Sequence, residues 1–227
     1  MTDDERQDWN ERAAELDSTE VADHAYNASL AVLQTLPLGG GVAQLLTDYL
    51  PQRKQRRVVA FVQELGREWQ AHRDRMDDEF IRSDEFDRLV EDVIDRVQQV
   101  RSQEKQAKFA AILAGFATAE RPDEAERQRI LDTLDNMRPR QMRILTVISE
   151  TTEPRPDLYA GGVMDTLKWK MPDLDDAVIR EEWAELARLG VVGSYPAGTM
   201  SAHGAGNLRA HVTPYGWRYL NAIRSSE

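Results

Sequence analysis

Apolar residues recur at helical spacing along most of the first 137 positions of the chain. Between Pro51 and Arg75 they fall three and four residues apart, which predicts an amphipathic helix. Between Phe86 and Val100 the steps alternate between four and three, the heptad spacing of a helix packed along a partner. This repeat covers only about two heptads, so we expect a helical bundle and not an extended coiled coil. Further helices are predicted after Ser102, an N-cap residue, and after Asp123, which forms a capping box with Glu126.

The segment from Ala25 to Thr47 carries no formal charge and is interrupted by Pro37-Leu38-Gly39-Gly40-Gly41. A spanning helix needs about 20 consecutive, mostly apolar residues, so a hairpin of two short apolar helices fits this break better. Basic residues open the helix that follows, at Arg53, Lys54, Arg56 and Arg57. We expect the hairpin to be part of the bundle core. The alternative is a membrane-active effector that meets the membrane through residues 25–57: the hairpin at residues 25–47 inserts, and the four basic residues hold anionic headgroups.

Three short helices are predicted in the C-terminal part of the chain, after Arg138-Pro139-Arg140, which marks a domain boundary. They run from Gln141 to Thr151, from Leu158 to Trp169, and from Pro172 to Gly190. The third helix has an apolar stripe that includes Trp183, and Gly190 is suited to end it as a C-cap.

The residues after Gly190 have the composition of a β-hairpin. Val191, Val192 and Tyr195 predict a first strand, residues 196–207 form a Gly-rich loop, and a returning strand is predicted from alternation at Leu208, Ala210 and Val212. Thr213 then caps a last helix. This order is that of a winged helix. We therefore expect a mainly α protein, with a helical bundle over residues 1–137 followed by a winged-helix (α+β) module with a short β-hairpin wing over residues 138–227.

Winged helices bind DNA, dimerise or dock proteins, so charge has to discriminate between these functions. The stretch from Asp173 to Gly190, which stands where a recognition helix would, contains six acidic and two basic residues and has a net charge of -4. That charge repels phosphates and disfavours nucleic acid. The candidate wing contacts are His203, Arg209 and His211. We expect a protein partner or self-association, and a DNA-binding transcriptional regulator is a second alternative.

The sequence contains no nucleophile elbow, phosphate-binding loop or dinucleotide fingerprint, so we expect a non-enzymatic protein. The net charge of -11 predicts an acidic surface, and the absence of cysteine excludes disulfides and thiolate chemistry. Glu64, Glu68 and His72 share one helical face, but no Glu-x-x-His pair accompanies them, so we interpret them as a solvated stripe. No catalytic, cofactor-binding or metal-binding residues are predicted. The acidic N-terminus lacks the apolar core of a signal peptide, which favours a cytoplasmic location.

Two segments carry a resemblance to a known family. They are the helix Gln103-Glu104-Lys105-Gln106-Ala107-Lys108-Phe109-Ala110-Ala111-Ile112-Leu113 and the later stretch from Arg138 to Leu145. With the preceding Pro-Gly hairpin and basic helix, they resemble bacterial proteins of the abortive-infection alpha type, and the ending Val-Thr-Pro-Tyr-Gly-Trp is similar too. The resemblance implies a role in phage defence. It implies no catalytic residues, because none are established for that family.

Overall fold

The computed structural model describes residues 52–153, 160–196, 198 and 200–224, and the side chains of these residues except those of 52–59, 200 and 202. The predicted hairpin at residues 25–47 lies outside this description. The described part is mainly helical. Its helices and strands, in chain order, are α1 (Gln52–His72), α2 (Asp78–Ile81), α3 (Asp84–Gln99), α4 (Gln103–Phe116), α5 (Glu124–Asn136), α6 (Pro139–Glu150), β1 (Ala160–Gly161), α7 (Val163–Lys170), α8 (Asp176–Arg188), β2 (Met200–Ser201), α9 (Ala202–Gly206) and α10 (Pro214–Ala222).

Contacts between Cα atoms divide the chain into two compact units. The C-terminal unit comprises the described residues of 128–223, and the described residues of 52–127 form the N-terminal unit. This division falls inside α5, before the boundary at residues 137 and 138 that the sequence predicts.

The N-terminal unit is a bundle in which α1 packs along α4 and both contact α3. Its core contains the apolar positions that the spacing predicted, including Phe61 and Leu65 of α1 and Phe86 of α3, all at most 1% exposed. Burying such a side chain contributes about 1.5–3 kcal/mol, so these positions hold the three helices together. The predicted caps are also present: the Lys105 amide donates to Ser102 Oγ at 3.4 Å, and the Glu126 amide to Asp123 Oδ1 at 2.8 Å.

The C-terminal unit is built around α8, which packs against α6 and α7. Trp183 is fully buried, and its indole Nε1 donates to the Gly193 carbonyl at 2.9 Å. From α10, the Tyr215 hydroxyl donates to the Arg129 carbonyl at 3.1 Å and lies 2.6 Å from Thr133 Oγ1. These bonds satisfy the polar ends of aromatic side chains whose rings fill the core.

Two glycines allow the chain to turn and pack closely here. Gly190 has φ +78°, the left-handed conformation that ends α8 as the sequence predicted. Gly216 is the third residue of α10, and a Cβ there would overlap the backbone carbonyl of Val191. The cap of α10 is also as predicted, since the Gly216 amide donates to Thr213 Oγ1 at 2.8 Å.

A β-hairpin wing is not shown by the described residues. Where alternation predicts a returning strand from Leu208 to Val212, the chain forms a 3-10 helix over Leu208–His211. The Ala210 amide donates to the Asn207 carbonyl at 3.3 Å, which closes this turn locally. Asn and Ala have low strand propensity, and a turn still buries Leu208 completely. Of the predicted pairing, an isolated antiparallel bridge between Val192 and Val212 is present.

The helix predicted from Leu158 to Trp169 begins later, at Val163. Ala160 and Gly161 form β1 instead, paired antiparallel with β2 through Ala160–Ser201 and Gly161–Met200. Glycine is among the poorest helix formers, so Gly161 and Gly162 delay the helix. The Gly162 amide then donates to Asp165 Oδ2 at 2.7 Å at the new start.

Candidate functional site

The candidate site is the surface that α6, α7 and α8 form in the C-terminal unit. The residues of α8 alternate between core and solvent: Ile179, Trp183 and Leu186 are fully buried, whereas Arg180 and Glu181 are exposed. The apolar stripe therefore fixes which side chains of α8 can meet a ligand.

The acidic residues of α8 are less available than their number in the sequence suggests. The Glu182 side chain is only 3% exposed, and its carboxylate lies 2.9 Å from Arg138 Nη2 and 3.5 Å from Arg140 Nη1. Glu182 is thus neutralised by arginines that precede and open α6. It adds nothing to a negative field at the surface of α8.

A second ion pair neutralises the carboxylate of Asp173, which lies in the turn before α8. Arg143 donates to both oxygens of Asp173, at 2.5 and 2.7 Å. These hydrogen bonds lower the pKa of Asp173 and raise that of Arg143. Lys168 of α7 also lies 3.6 Å from Asp176. The basic residues of α6 and α7 therefore offset much of the charge of -4 counted along the α8 segment.

The three candidate wing contacts do not form one cluster of charge. His203 is exposed in α9, and Arg209 is exposed in the 3-10 helix, with its guanidinium 4.6 Å from the Trp217 ring centroid. The His211 ring is half-buried and packs edge-on against Trp183, with 5.8 Å between ring centroids. Burial lowers the pKa of His211, so this imidazole is neutral at pH 7. Arg209 is the one permanent charge of the three.

The surface also carries an exposed aromatic ring that the sequence analysis did not single out. Trp169, near the end of α7, is 42% exposed and is the one large hydrophobic side chain that is exposed among the described residues. Lys170 Nζ lies 4.5 Å from its ring centroid. Tryptophan is enriched in protein interfaces relative to the rest of the surface.

The candidate membrane or anion contacts Arg53, Lys54, Arg56 and Arg57 lie in the first two turns of α1. Their side chains, and the uncharged hairpin before them, are outside the description. Within the described residues, no helix is long and apolar enough to cross a membrane.

The stripe of Glu64, Glu68 and His72 has structural contacts. Glu64 pairs with Arg67, Glu68 is buried, and His72 Nδ1 lies 2.9 Å from the Glu68 carbonyl oxygen. Over the described ranges, no group of three or more His, Asp and Glu side chains is placed to hold a metal ion.

No family model, curated protein or solved structure matches this chain. Functional inference therefore depends on its own residues. The sequence analysis does not identify the group of Arg138, Arg140 and Glu182, because Glu182 lies 44 positions after Arg138 and no local pattern connects them. The exposure of Trp169 could have been expected from the sequence, because the residue lies between Lys168 and Lys170 and lysine is almost never fully buried.

Proposed function

We propose that this protein acts without catalysis, by binding a protein partner through its C-terminal unit, in a bacterial regulatory or phage-defence role. The observation that carries the proposal is the exposure of Trp169 beside Lys170. Tryptophan is highly buried on average in folded proteins, and at interfaces it is among the residues that contribute most to binding. The phage-defence role is supported by the resemblance to abortive-infection alpha type proteins alone.

We further propose that the C-terminal unit is a winged-helix module. Its order of elements supports this: α6, a short strand, α7 and α8, followed by a second strand that pairs with the first. The Val192–Val212 bridge adds a second link on the side where a wing would stand. Winged helices serve as docking modules as well as DNA readers, so the architecture is compatible with a protein partner.

A photo-crosslinking experiment tests this function. A benzophenone side chain placed at position 169 of the full chain, in the native host, is expected to yield one adduct of defined mass. The same probe at Arg82, whose side chain is 73% exposed but lies in the N-terminal unit, is the matched control and is expected to yield none. An adduct of twice the chain mass would identify self-association. Equal adducts at both positions, or none at 169, would refute the proposal.

A substitution gives the corresponding affinity. Truncating an aromatic anchor at an interface costs about 2 kcal/mol or more, so Trp169→Ala is expected to weaken binding of the crosslinked partner about 30-fold. Arg82→Ala, in the N-terminal unit, should leave it unchanged. If the partner acts in phage defence, plaque formation on cells carrying Trp169→Ala should rise to the level of cells lacking the protein.

A DNA-binding regulator is the second candidate. The net charge of the α8 segment counts against it in the sequence, but the pairing of Glu182 and Asp176 with basic residues reduces that repulsion of phosphates. The C-terminal unit contains eleven Lys and Arg against twelve Asp and Glu residues, so most of the charge of -11 lies outside it. If this function holds, Arg209→Gln should weaken binding of duplex DNA and reduce its salt dependence by about one phosphate contact. Unaltered affinity and slope would argue against it.

A further inference from the structure

We propose that Arg138 and Arg140 form a binding site for one phosphate group, carried by a phosphorylated segment of the protein partner. Glu182 is the positioning residue that holds the two guanidinium groups from behind. The proposal rests on the proposed function for the partner, whereas the site itself follows from the contacts of these three residues.

The first argument is the geometry. Each oxygen of the Glu182 carboxylate has its own arginine: Oε2 accepts from Arg138 Nη2 at 2.9 Å, and Oε1 lies 3.5 Å from Arg140 Nη1. The Glu182 side chain is 3% exposed, and the next residue of α8, Trp183, is fully buried, so Glu182 lies at the edge of the core. Two long and otherwise mobile side chains are therefore brought to one point of the surface. Such preorganisation reduces the entropic cost of binding a ligand.

The second argument is the number of unused donors. The arginine side chains remain 54% and 53% exposed while they pair with Glu182. A guanidinium has five N–H donors, and within the described residues each of these arginines directs one of its terminal nitrogens at the carboxylate. Most donors of both groups thus face solvent. Phosphate has three acceptor oxygens and is bound by arginine in bidentate fashion, so it uses these donors better than a second carboxylate would.

The third argument is the charge, which favours a single phosphate over a polyanion. Two guanidinium groups and one carboxylate leave one positive charge at the site, and a phosphorylated side chain carries about -1.5 to -2 at pH 7. The next arginine along α6, Arg143, already directs both terminal nitrogens at Asp173. Duplex DNA requires a series of cations to replace its counterions, and Arg138 and Arg140, which share Glu182, are two cations with one net positive charge.

NMR spectroscopy of the full chain tests the site. Inorganic phosphate and O-phospho-L-serine are titrated at constant ionic strength, with chloride as the balancing anion, while backbone amide shifts are followed. We expect saturable shifts at Arg140 and Gln141, with a dissociation constant on the order of 1 mM. In R138K/R140K the charges and the pairing with Glu182 are retained but the forked donors are lost, so affinity should fall about tenfold. R143K, whose forked donors are already occupied, is the matched control and should bind as wild type does.

Each other outcome overturns part of the proposal. Absence of saturable shifts, equal affinity in R138K/R140K, or an equal loss in R143K would remove the site. Tighter binding of a short DNA duplex than of O-phospho-L-serine, dependent on the same two arginines, would assign the site to nucleic acid. None of these results alters crosslinking from position 169, so failure of the phosphate site and failure of the proposed function are separately visible.

Discussion

Replacement of Gly216 by alanine tests the packing of α10 most directly. A Cβ at this position would overlap the Val191 carbonyl oxygen and come within 2.9 Å of Val212 Cγ1. The carbonyl cannot simply move away, because it also accepts a hydrogen bond from the Thr213 amide at 3.1 Å. Overpacking costs about 1–3 kcal/mol, and a lost hydrogen bond about 1 kcal/mol. The higher helix propensity of alanine returns at most about 1 kcal/mol.

The expected net destabilisation of Gly216→Ala is therefore about 2 kcal/mol, which lowers the Tm of a unit of roughly 100 residues by about 10 °C. Urea unfolding followed by tryptophan fluorescence measures it. The matched control is Gly115→Ala, in α4, where no heavy atom lies within 4 Å of the added Cβ. There the gain in propensity should stabilise the protein by about 0.5–1 kcal/mol. If Gly216→Ala were as stable as wild type, the close approach of α10 to Val191 would be refuted.

Two further predictions concern the same unit. Gly190→Ala places a Cβ at φ +78° and should cost about 1 kcal/mol in urea unfolding, whereas Gly190→Asn, which tolerates this conformation, should cost less. His211 has a pKa lowered by burial from its ordinary 6.5, so below about pH 6.5 the unfolded chain binds more protons than the folded one and stability falls as the pH drops. His211→Gln should make the unfolding free energy less dependent on pH between 6.5 and 5, and an unchanged slope would contradict this.

Local signals in the sequence were sufficient for the long helices of the N-terminal unit and for the N-caps of α4, α5 and α10. The heptad spacing from Phe86 to Val100 requires one face to be buried, and a helix is the conformation that aligns those positions. Each cap at Ser102, Asp123 and Thr213 is a hydroxyl or carboxylate oxygen that accepts a hydrogen bond from a backbone amide three residues later. Such interactions join residues that are close in the sequence, so they can be predicted without knowledge of tertiary contacts.

The rest depended on partners that are distant in sequence. A strand of two residues, as in β1, contains too little alternation to be recognised, and β1 forms only because Ser201 and its neighbour lie alongside. Of the alternating positions from Leu208 to Val212, the observed turn buries Leu208 and Val212 and leaves Ala210 exposed, so alternation alone did not require a strand. Glu182 carries no local sign of burial, because Arg138 lies 44 positions earlier in the chain.

The position of α5 has a practical consequence for anyone dividing this chain into fragments. Tyr215 takes its hydrogen-bond partners from Arg129 and Thr133, and the Tyr219 hydroxyl lies 3.5 Å from Met137 Sδ. All three of these groups precede Arg138, which lies between α5 and α6 and is therefore an obvious place to divide the chain. A fragment that begins at Arg138 would lack the three groups that contact these two buried tyrosines. A fragment that contains the complete C-terminal unit therefore begins no later than α5, whether it is made in the laboratory or transferred by recombination between genes.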